Sequence, residues 1–483
     1  MRDALWTAET AAAATSGRAT TDFSASGVSI DSRALSGGDL FVALADARDG
    51  HDFVGAALDA GAGAAMVSRI PDGLPPGAPL LIVEDTLAGL RGLAAAARAR
   101  TRAKVVAVTG SVGKTGVKEM LRCALGASGP THAAEKSFNN HWGAPLTLAR
   151  MPAGVMFAAV ELGMNHPGEI APLSRLARPD VAIITTVEAV HLEAFDGVEA
   201  IADAKAEIFE GMAPGGVAVL NADNAHFARL AAAARERGLQ VVPFGAGEEA
   251  EGGARLESLR LATRATVVKA TLRGRPLMFK VGAPGRHLAL NALAALAAAD
   301  AAGADIARAA LALGRWTPPE GRGSRWRIEI GDSGVDGAVT LIDESYNANP
   351  VSMRAALAVL SAAKPEDHVG RIDRGRRVAF LGDMLELGPK GEAMHAALAE
   401  AREMEEVDVV HTCGALMRAL HEALPVERRG KWFATSEELA AVAGRKLDAG
   451  DVAMVKGSLG ANMAPVVAAI RRIGHARPDH GEG

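Results

Sequence analysis

The sequence predicts an α/β fold in three units, and three observations carry that prediction. Continuous apolar runs bounded by glycine recur through the middle and last thirds of the chain, the pattern of strands buried on both faces of a parallel sheet. Helix-like stretches separate these runs, as parallel crossover connections require. Two compositional breaks, one near residue 103 and one at the proline- and glycine-rich WTPPEGRGSRW (316–326), divide the 483 residues into pieces of domain size.

The first segment, 1–103, has fewer strand signals than the others. Short strands are expected in VSIDS (28–32) and LFVAL (40–44), a turn-rich loop in PDGLPPGAP (71–79), and a helix in TLAGLRGLAAAARARTRA (86–103). The middle segment, 104–314, opens with the strand KVVAVTG (104–110) and the helix KTGVKEMLRCAL (114–125). Strands VMFAAVELG (155–163), VAIITTV (181–187) and GVAVLNAD (216–223) follow. The alanine-rich 288–314 reads as a pair of helices. The last segment, 315–483, repeats the style with VTLIDE (339–344), RRVAFLGD (376–383), VDVVHTCG (407–414) and DVAMVKG (451–457). Pro350 is placed to open the helix MRAALAVL. The polar tail HARPDHGEG (475–483) is expected to fray.

Composition excludes several classes of function. Hydrophobic residues make up 49% and charged residues 23%, too apolar for a disordered chain. Lys plus Arg total 52 against 57 Asp plus Glu, a net charge of −5, so no nucleic-acid partner is expected. Asp3 and Glu9 interrupt the N-terminus before any signal-like apolar core, and Asn291, Asp300 and Asp305 punctuate the most apolar long stretch, so no membrane association is expected. Cys123 and Cys413 lie too far apart in sequence for a disulfide framework and fit a reducing compartment. The expected location is the cytoplasm.

The strongest motif is TGSVGKTGVKEM (109–120). A strand runs into a glycine turn, then Lys-Thr, then a helix, so the backbone N–H groups of Gly110, Ser111, Val112, Gly113, Lys114, Thr115 and Gly116 gather where a phosphate binds. Lys114 adds a charge for the outer phosphates, and the Thr115 hydroxyl suits Mg²⁺. Val108 stands six residues before the lysine where the longer motif has glycine, so this is the short G-x-x-G-K-T form.

Further polar residues follow strand ends, where parallel α/β sheets bind ligands. Glu161 in ELGMNHPGEI and His191 in TTVEAVHLEAF make a Mg²⁺ site beside Thr115, although imidazole is an unusual ligand for so hard an ion. Each has a plainer reading: a helix cap for Glu161 and a surface group for His191. Lys205 in IADAKAEIF, taken alone, reads as a helix lysine paired with an acid. Asn291 either meets a purine edge or faces water. Arg322 on the linker could reach a phosphate in bidentate fashion, and Asp343 a ribose hydroxyl. DESYNANPVS (343–352), with Tyr346, Asn347 and Asn349, is a turn network or a polar binding surface. Asp383, Lys456 and Ser458 follow other strands. Ser32 and Arg33 after VSI offer a diphosphate or uracil site, or an ordinary turn.

Taken together these motifs resemble the Mur ligase family, the ATP-dependent amide ligases of peptidoglycan precursor synthesis. DSRALSGGDLFVAL is similar to the family's uridine-nucleotide segment and TGSVGKT to its short P-loop; SFNNHWGAPLTL, ELGMNHPGEI, HLEAF and AKAEIF follow in the family's order. Within the family, DESYNANPVSM and LGDMLELG resemble members that add D-alanyl-D-alanine. The D-N-P-R motif of the diaminopimelate-adding relatives is absent, and the folate-polyglutamating relatives lack the uridine segment. Thr186 and Glu188 stand where the family often has Asn and Gly before the metal histidine. Leu459 stands where arginine commonly follows Lys-Gly-Ser.

The resemblance implies a small N-terminal α/β uridine-nucleotide-binding domain (1–103), a central P-loop parallel-sheet ATPase domain (104–314) and a C-terminal Rossmann-like α/β domain (315–483). The last would bind the incoming dipeptide and part of the nucleotide. Gly110 to Gly116 would cradle ATP, with Lys114, His191 and Lys205 as catalytic residues. Thr115 and Glu161 would hold one Mg²⁺; His191 and an N-carboxylated Lys205 would serve a second. A carbamate supplies the anionic oxygen that Mg²⁺ accepts, where an ammonium would repel it. Asn291 would meet adenine, Arg322 the phosphates and Asp343 the ribose. Ser32 and Arg33 would bind the UDP sugar, and Tyr346, Asn347, Asn349 and Asp383 the dipeptide. The implied substrates are ATP, UDP-N-acetylmuramoyl-tripeptide and D-alanyl-D-alanine, acted on by a monomer with a hinge near 314–326. Two alternatives stand beside this: an ATP-hydrolysing switch that drives a partner, and a ligase that adds the third amino acid instead.

Overall fold

The computed structural model describes residues 4–46, 48–190, 192–331, 337–370 and 372–479. Its three main sheets are α/β layers that follow one another along the chain.

Nine strands form the middle sheet, in the order Arg275–Val281, Ala265–Leu272, Ala254–Ala262, Gln240–Gly245, Val217–Asn221, Val181–Ile184, Lys104–Thr109, Phe157–Glu161, Thr131–Ala133. From Ala254–Ala262 through Thr131–Ala133 every pairing is parallel, and the two strands at the other edge are antiparallel. Lys104–Thr109 lies between Phe157–Glu161 and Val181–Ile184. The chain leaves it to one side and later crosses to the other, which opens a crevice at its carboxyl end. Alternation along that strand feeds two cores: Val106 and Val108 pack with the helices Lys114–Gly126 and Arg286–Ala301, Val105 and Ala107 with Ile170–Ala177 and Val198–Ala206. The alanine-rich stretch forms the expected helix pair, Arg286–Ala301 and Ile306–Leu313, broken at Gly303 with φ 84°.

The first segment holds more strands than its sequence suggested. Arg18–Ala19, Leu80–Ile82, Ala64–Val67, Asp39–Val42 and Gly27–Ser29 form a five-stranded sheet, parallel except for the first pair. Runs of two to four residues are too short to establish a period. Helix Thr86–Arg100 ties this sheet to the middle unit, because its Leu90 and Leu93 share a core with Leu146.

The last sheet runs Arg429–Phe433, Val409–Cys413, Arg377–Gly382, Val452–Lys456, Ala338–Glu344, Ser324–Glu329, His475–Pro478. Two expectations need correction here. The tail does not begin to fray at 475: His475–Pro478 pairs antiparallel with Ser324–Glu329, satisfying N–H and C=O groups that an edge strand would leave open. The linker is also shorter than 316–326, since its last three residues already belong to Ser324–Glu329. Pro350 does open a helix, Pro350–Ser361. No helix among the described residues is long and apolar enough to cross a membrane.

Candidate active site

The turn after Lys104–Thr109 needs glycine twice. Gly110 has φ 147° and Gly113 φ 87°, values that L side chains rarely adopt. A Cβ on Gly110 would also lie 1.9 Å from Thr185 Oγ1. Neighbouring backbone braces the loop. Ser111 N donates to Thr186 O at 2.8 Å, Glu188 N donates to Ser111 Oγ at 2.9 Å, and Thr185 Oγ1 donates to Val112 O at 2.5 Å. Thr186 and Glu188, two of the three departures from the family pattern, thus hold the loop through main-chain groups that any residue supplies. Their side chains pair with each other at 2.8 Å.

Lys114 opens the helix and its ammonium folds back to Gly110 O at 2.7 Å. Burial lowers its pKa; the nearby Glu161 carboxylate opposes that shift and the Arg322 guanidinium adds to it. Thr115, one residue on, meets Glu161 from the neighbouring strand end. Its hydroxyl donates to Glu161 Oε2 at 2.9 Å and lies 3.0 Å from Ser137 Oγ. Ser137 Oγ and Asn139 Nδ2 both donate to Glu161 Oε1, at 3.0 and 2.7 Å. Glu161 is only 1% exposed. The hydroxyls and carboxylate are hard oxygen donors facing one another at the glycine turn, a set that fits Mg²⁺. Among the described residues no group of three His, Cys, Asp or Glu could hold a metal, so the set depends on hydroxyls and on further oxygen from a ligand. Sequence reading missed Ser137 and Asn139. They lie in SFNNHW, and their distances in sequence from Glu161, 24 and 22 residues, carry no spacing signal.

Lys205 is 2% exposed on helix Val198–Ala206, and the plain reading of a helix lysine paired with an acid does not hold. No acid partners it among the described residues. Burial drives its pKa well below the ordinary lysine value, and the Lys114 charge pushes the same way. Both influences favour the uncharged amine over the ammonium. His191 lies outside the described residues.

Asn291 stands over the glycine turn: a Cβ on Gly113 would lie 3.1 Å from its Oδ1. The linker and last unit reach the same crevice. The Arg322 guanidinium sits 3.9 Å from the Tyr346 ring centroid, and its charge is felt by Lys114 and by buried Lys456. Asp343 is buried and accepts from Gly321 N and Ser345 N at 3.2 and 3.1 Å, pinning the linker turn; burial raises its pKa. Asn347 Oδ1 accepts from Ala348 N, while Lys456 Nζ donates to Asn347 O at 2.8 Å. Asn349 caps helix Pro350–Ser361 through Ser352 N at 2.9 Å, and Asp383 accepts from Met417 N at 2.7 Å. Leu459 is 66% exposed.

Ser32 and Arg33 lie away from this cluster, in a short 3₁₀ turn. They line a cavity of about 730 Å³ whose far wall is Lys136, His141 and Trp142. Asp31 holds the exposed Arg33 guanidinium at 2.9 Å and is itself lowered to about 2 by that arginine. A second cavity, about 710 Å³, opens between the start of helix Arg286–Ala301 and helix Pro350–Ser361; Arg286, His287 and Arg354 line it.

Three family models account for most of the chain. Residues 24–95 match the Mur ligase family catalytic domain, 108–299 the Mur ligase middle domain and 326–459 the Mur ligase glutamate ligase domain. The UDP-N-acetylmuramoyl-tripeptide–D-alanyl-D-alanine ligase of Escherichia coli (strain K12) is 36% identical over 460 residues, 94% of this chain and 95% of that protein. A crystal structure of MurF from Acinetobacter baumannii superposes with a TM-score of 0.79 at 29% identity, covering 96% of this chain and 98% of that one. MurF ligase from Thermotoga maritima in complex with ADP gives 0.72 at 24% identity, covering 92% and 97%.

Proposed function

The chain belongs to the Mur ligase family, and on that premise we propose how its residues divide the work of an ATP-dependent ligase that joins D-alanyl-D-alanine to UDP-N-acetylmuramoyl-tripeptide. The observation that carries this reading is the convergence of Thr115, Ser137 and Asn139 on Glu161 at the mouth of the glycine turn, in the same crevice as half-buried Lys114.

The proposed units are 1–103 for the UDP substrate, 104–314 for ATP, and 315–483 for the dipeptide and part of the nucleotide, with the hinge near 314–326. Backbone N–H groups from Gly110 to Gly116 receive the ATP phosphates. Lys114 exchanges its bond to Gly110 O for the outer phosphates, where Arg322 adds a second cation. Asn291 stands at the base, and Asp343 offers its carboxylate to the ribose. Thr115 and Glu161 would hold one Mg²⁺, with Ser137 and Asn139 fixing the carboxylate; His191 and N-carboxylated Lys205 would serve a second. Bound there, Mg²⁺ supplies positive charge between groups that otherwise repel. The tripeptide carboxylate attacks the γ-phosphorus, ADP leaves, and an acyl phosphate forms. The dipeptide amine adds to its carbonyl carbon, and phosphate leaves from the tetrahedral adduct. The protein's part is positioning and charge compensation. Tyr346, Asn347, Asn349 and Asp383 are the proposed dipeptide contacts. The proposed setting is a cytoplasmic monomer.

ADP release tests the reading. It should require UDP-N-acetylmuramoyl-tripeptide and D-alanyl-D-alanine together. Release that ignores both substrates identifies an ATPase switch, and release supported by diaminopimelate or lysine in place of the dipeptide identifies the wrong ligation step. Arg33→Ala should raise KM for the UDP substrate roughly tenfold with kcat kept, because one charge-assisted contact is lost far from the reacting atoms. Steady-state kinetics with the UDP substrate varied checks this, and a change in kcat alone contradicts it.

A further inference from the structure

Lys118 is wholly buried on the helix that begins at Lys114. A buried ammonium is unfavourable unless fully partnered. An apolar residue would suit a helix face that also buries Val117 and Leu121. The partners explain the choice. Lys118 Nζ pairs with Glu119, which Arg122 holds at 2.7 Å from the other side, and donates to Ala134 O at 2.5 Å and Lys136 O at 3.4 Å.

Those carbonyls begin a segment that has no helix or strand between Ala133 and Gly143. Within it, Ser137 and Asn139 bond Glu161, while Lys136, Phe138, His141 and Trp142 line the 730 Å³ cavity. One irregular stretch therefore builds one wall of the nucleotide site and one wall of the cavity that holds Ser32 and Arg33. Thr115 and Lys118, three residues apart, face the same side of the helix. Thr115 grips Ser137, and Lys118 grips the main chain on either side of Glu135.

We infer that Lys118 is a positioning residue: by clamping the backbone of 134–136 to the phosphate-loop helix it sets the UDP-substrate cavity and the Glu161 cluster at a fixed separation. The tripeptide carboxylate then reaches the γ-phosphate. This rests on the ligase reading above. Lys118 itself touches none of the three substrates.

The test is steady-state kinetics of the full chain with each substrate varied in turn. Removing the clamp leaves the carbonyl of buried Ala134 without its donor, releases Lys136 O and lets the segment drift, and small misplacements are costly at a reacting centre. Lys118→Met should raise KM for UDP-N-acetylmuramoyl-tripeptide roughly tenfold and lower kcat by a similar factor, with KM for D-alanyl-D-alanine within about twofold. Lys118→Arg, which keeps the donor, should recover most of the KM change. Lys118→Gln is read the same way as the methionine variant should that one not fold. An unchanged KM for the UDP substrate overturns the inference, as does an equal rise for all three substrates, the mark of general destabilisation. A wild-type enzyme that does not turn over the UDP substrate overturns the ligase reading itself and this inference with it.

Discussion

Glu161→Gln is expected to lower kcat by about a hundred- to a thousandfold, the scale on which one preorganised electrostatic group acts in a closed site. The amide keeps the volume of the carboxylate and one acceptor oxygen, so Thr115 and one further donor can still bond it. What it loses is the charge. Three neighbouring hydrogen-bond donors, Thr115, Ser137 and Asn139, are arranged around an anion, and Asn139 Nδ2 would face an amide N–H₂ or force a flip. The Mg²⁺ concentration needed for half-maximal rate should rise in the same variant, because a neutral oxygen is a poorer partner for a hard dication. The melting temperature should change little. Kinetics at varied Mg²⁺ together with a thermal melt check this, and a large loss of stability with unaltered Mg²⁺ dependence would assign Glu161 to structure.

Lys205→Ala should have an effect of the same size, and for Lys205 the sign of a pH dependence can be worked out. Burial, then the Lys114 charge, disfavours the ammonium, so the folded pKa lies well below the ordinary lysine value. Above that lowered value the amine is neutral and can be carboxylated; as pH falls through it, the ammonium returns and activity should fall. For the unmodified protein the unfolded chain binds the extra proton between the lowered and the ordinary value, so stability rises with pH across that window. The penalty is complete below the folded pKa and vanishes above the ordinary lysine range. Carboxylation removes the penalty, and a ligand that binds only the folded state stabilises it. Added bicarbonate should therefore raise the melting temperature of the wild type and leave Lys205→Ala unmoved. Equal shifts in both proteins would contradict a carbamate at this position.

The parts of the site legible in the sequence are those whose residues are contiguous or end a strand. Gly110, Gly113, Lys114 and Thr115 are a local turn with a fixed geometric demand, and Glu161 follows an apolar run whose direction is set by the parallel sheet. Ser137 and Asn139 were not legible, because an irregular segment has no period and only the fold brings it to Glu161. Lys205 gave a signal that spacing alone could have supplied: Ile201, Lys205 and Ile208 fall at i, i+4 and i+7, so the lysine shares the apolar face, and all three are buried. In the last unit, DESYNANPVS was readable as a turn network or a polar binding surface; Asn349 caps the helix that follows, and Asp383 accepts from Met417 N. The edge strand His475–Pro478 was hidden because its composition is polar and its stability comes from the partner strand rather than from burial.

The claim on which the mechanism stands is that the tripeptide carboxylate itself attacks the γ-phosphate. UDP-N-acetylmuramoyl-tripeptide labelled with ¹⁸O in both oxygens of its terminal carboxylate, incubated with ATP and D-alanyl-D-alanine, should pass one labelled oxygen into each phosphate released, as read by mass spectrometry. Phosphate carrying no label while ADP accumulates would mean that water attacks ATP directly, and the ligase account would be wrong.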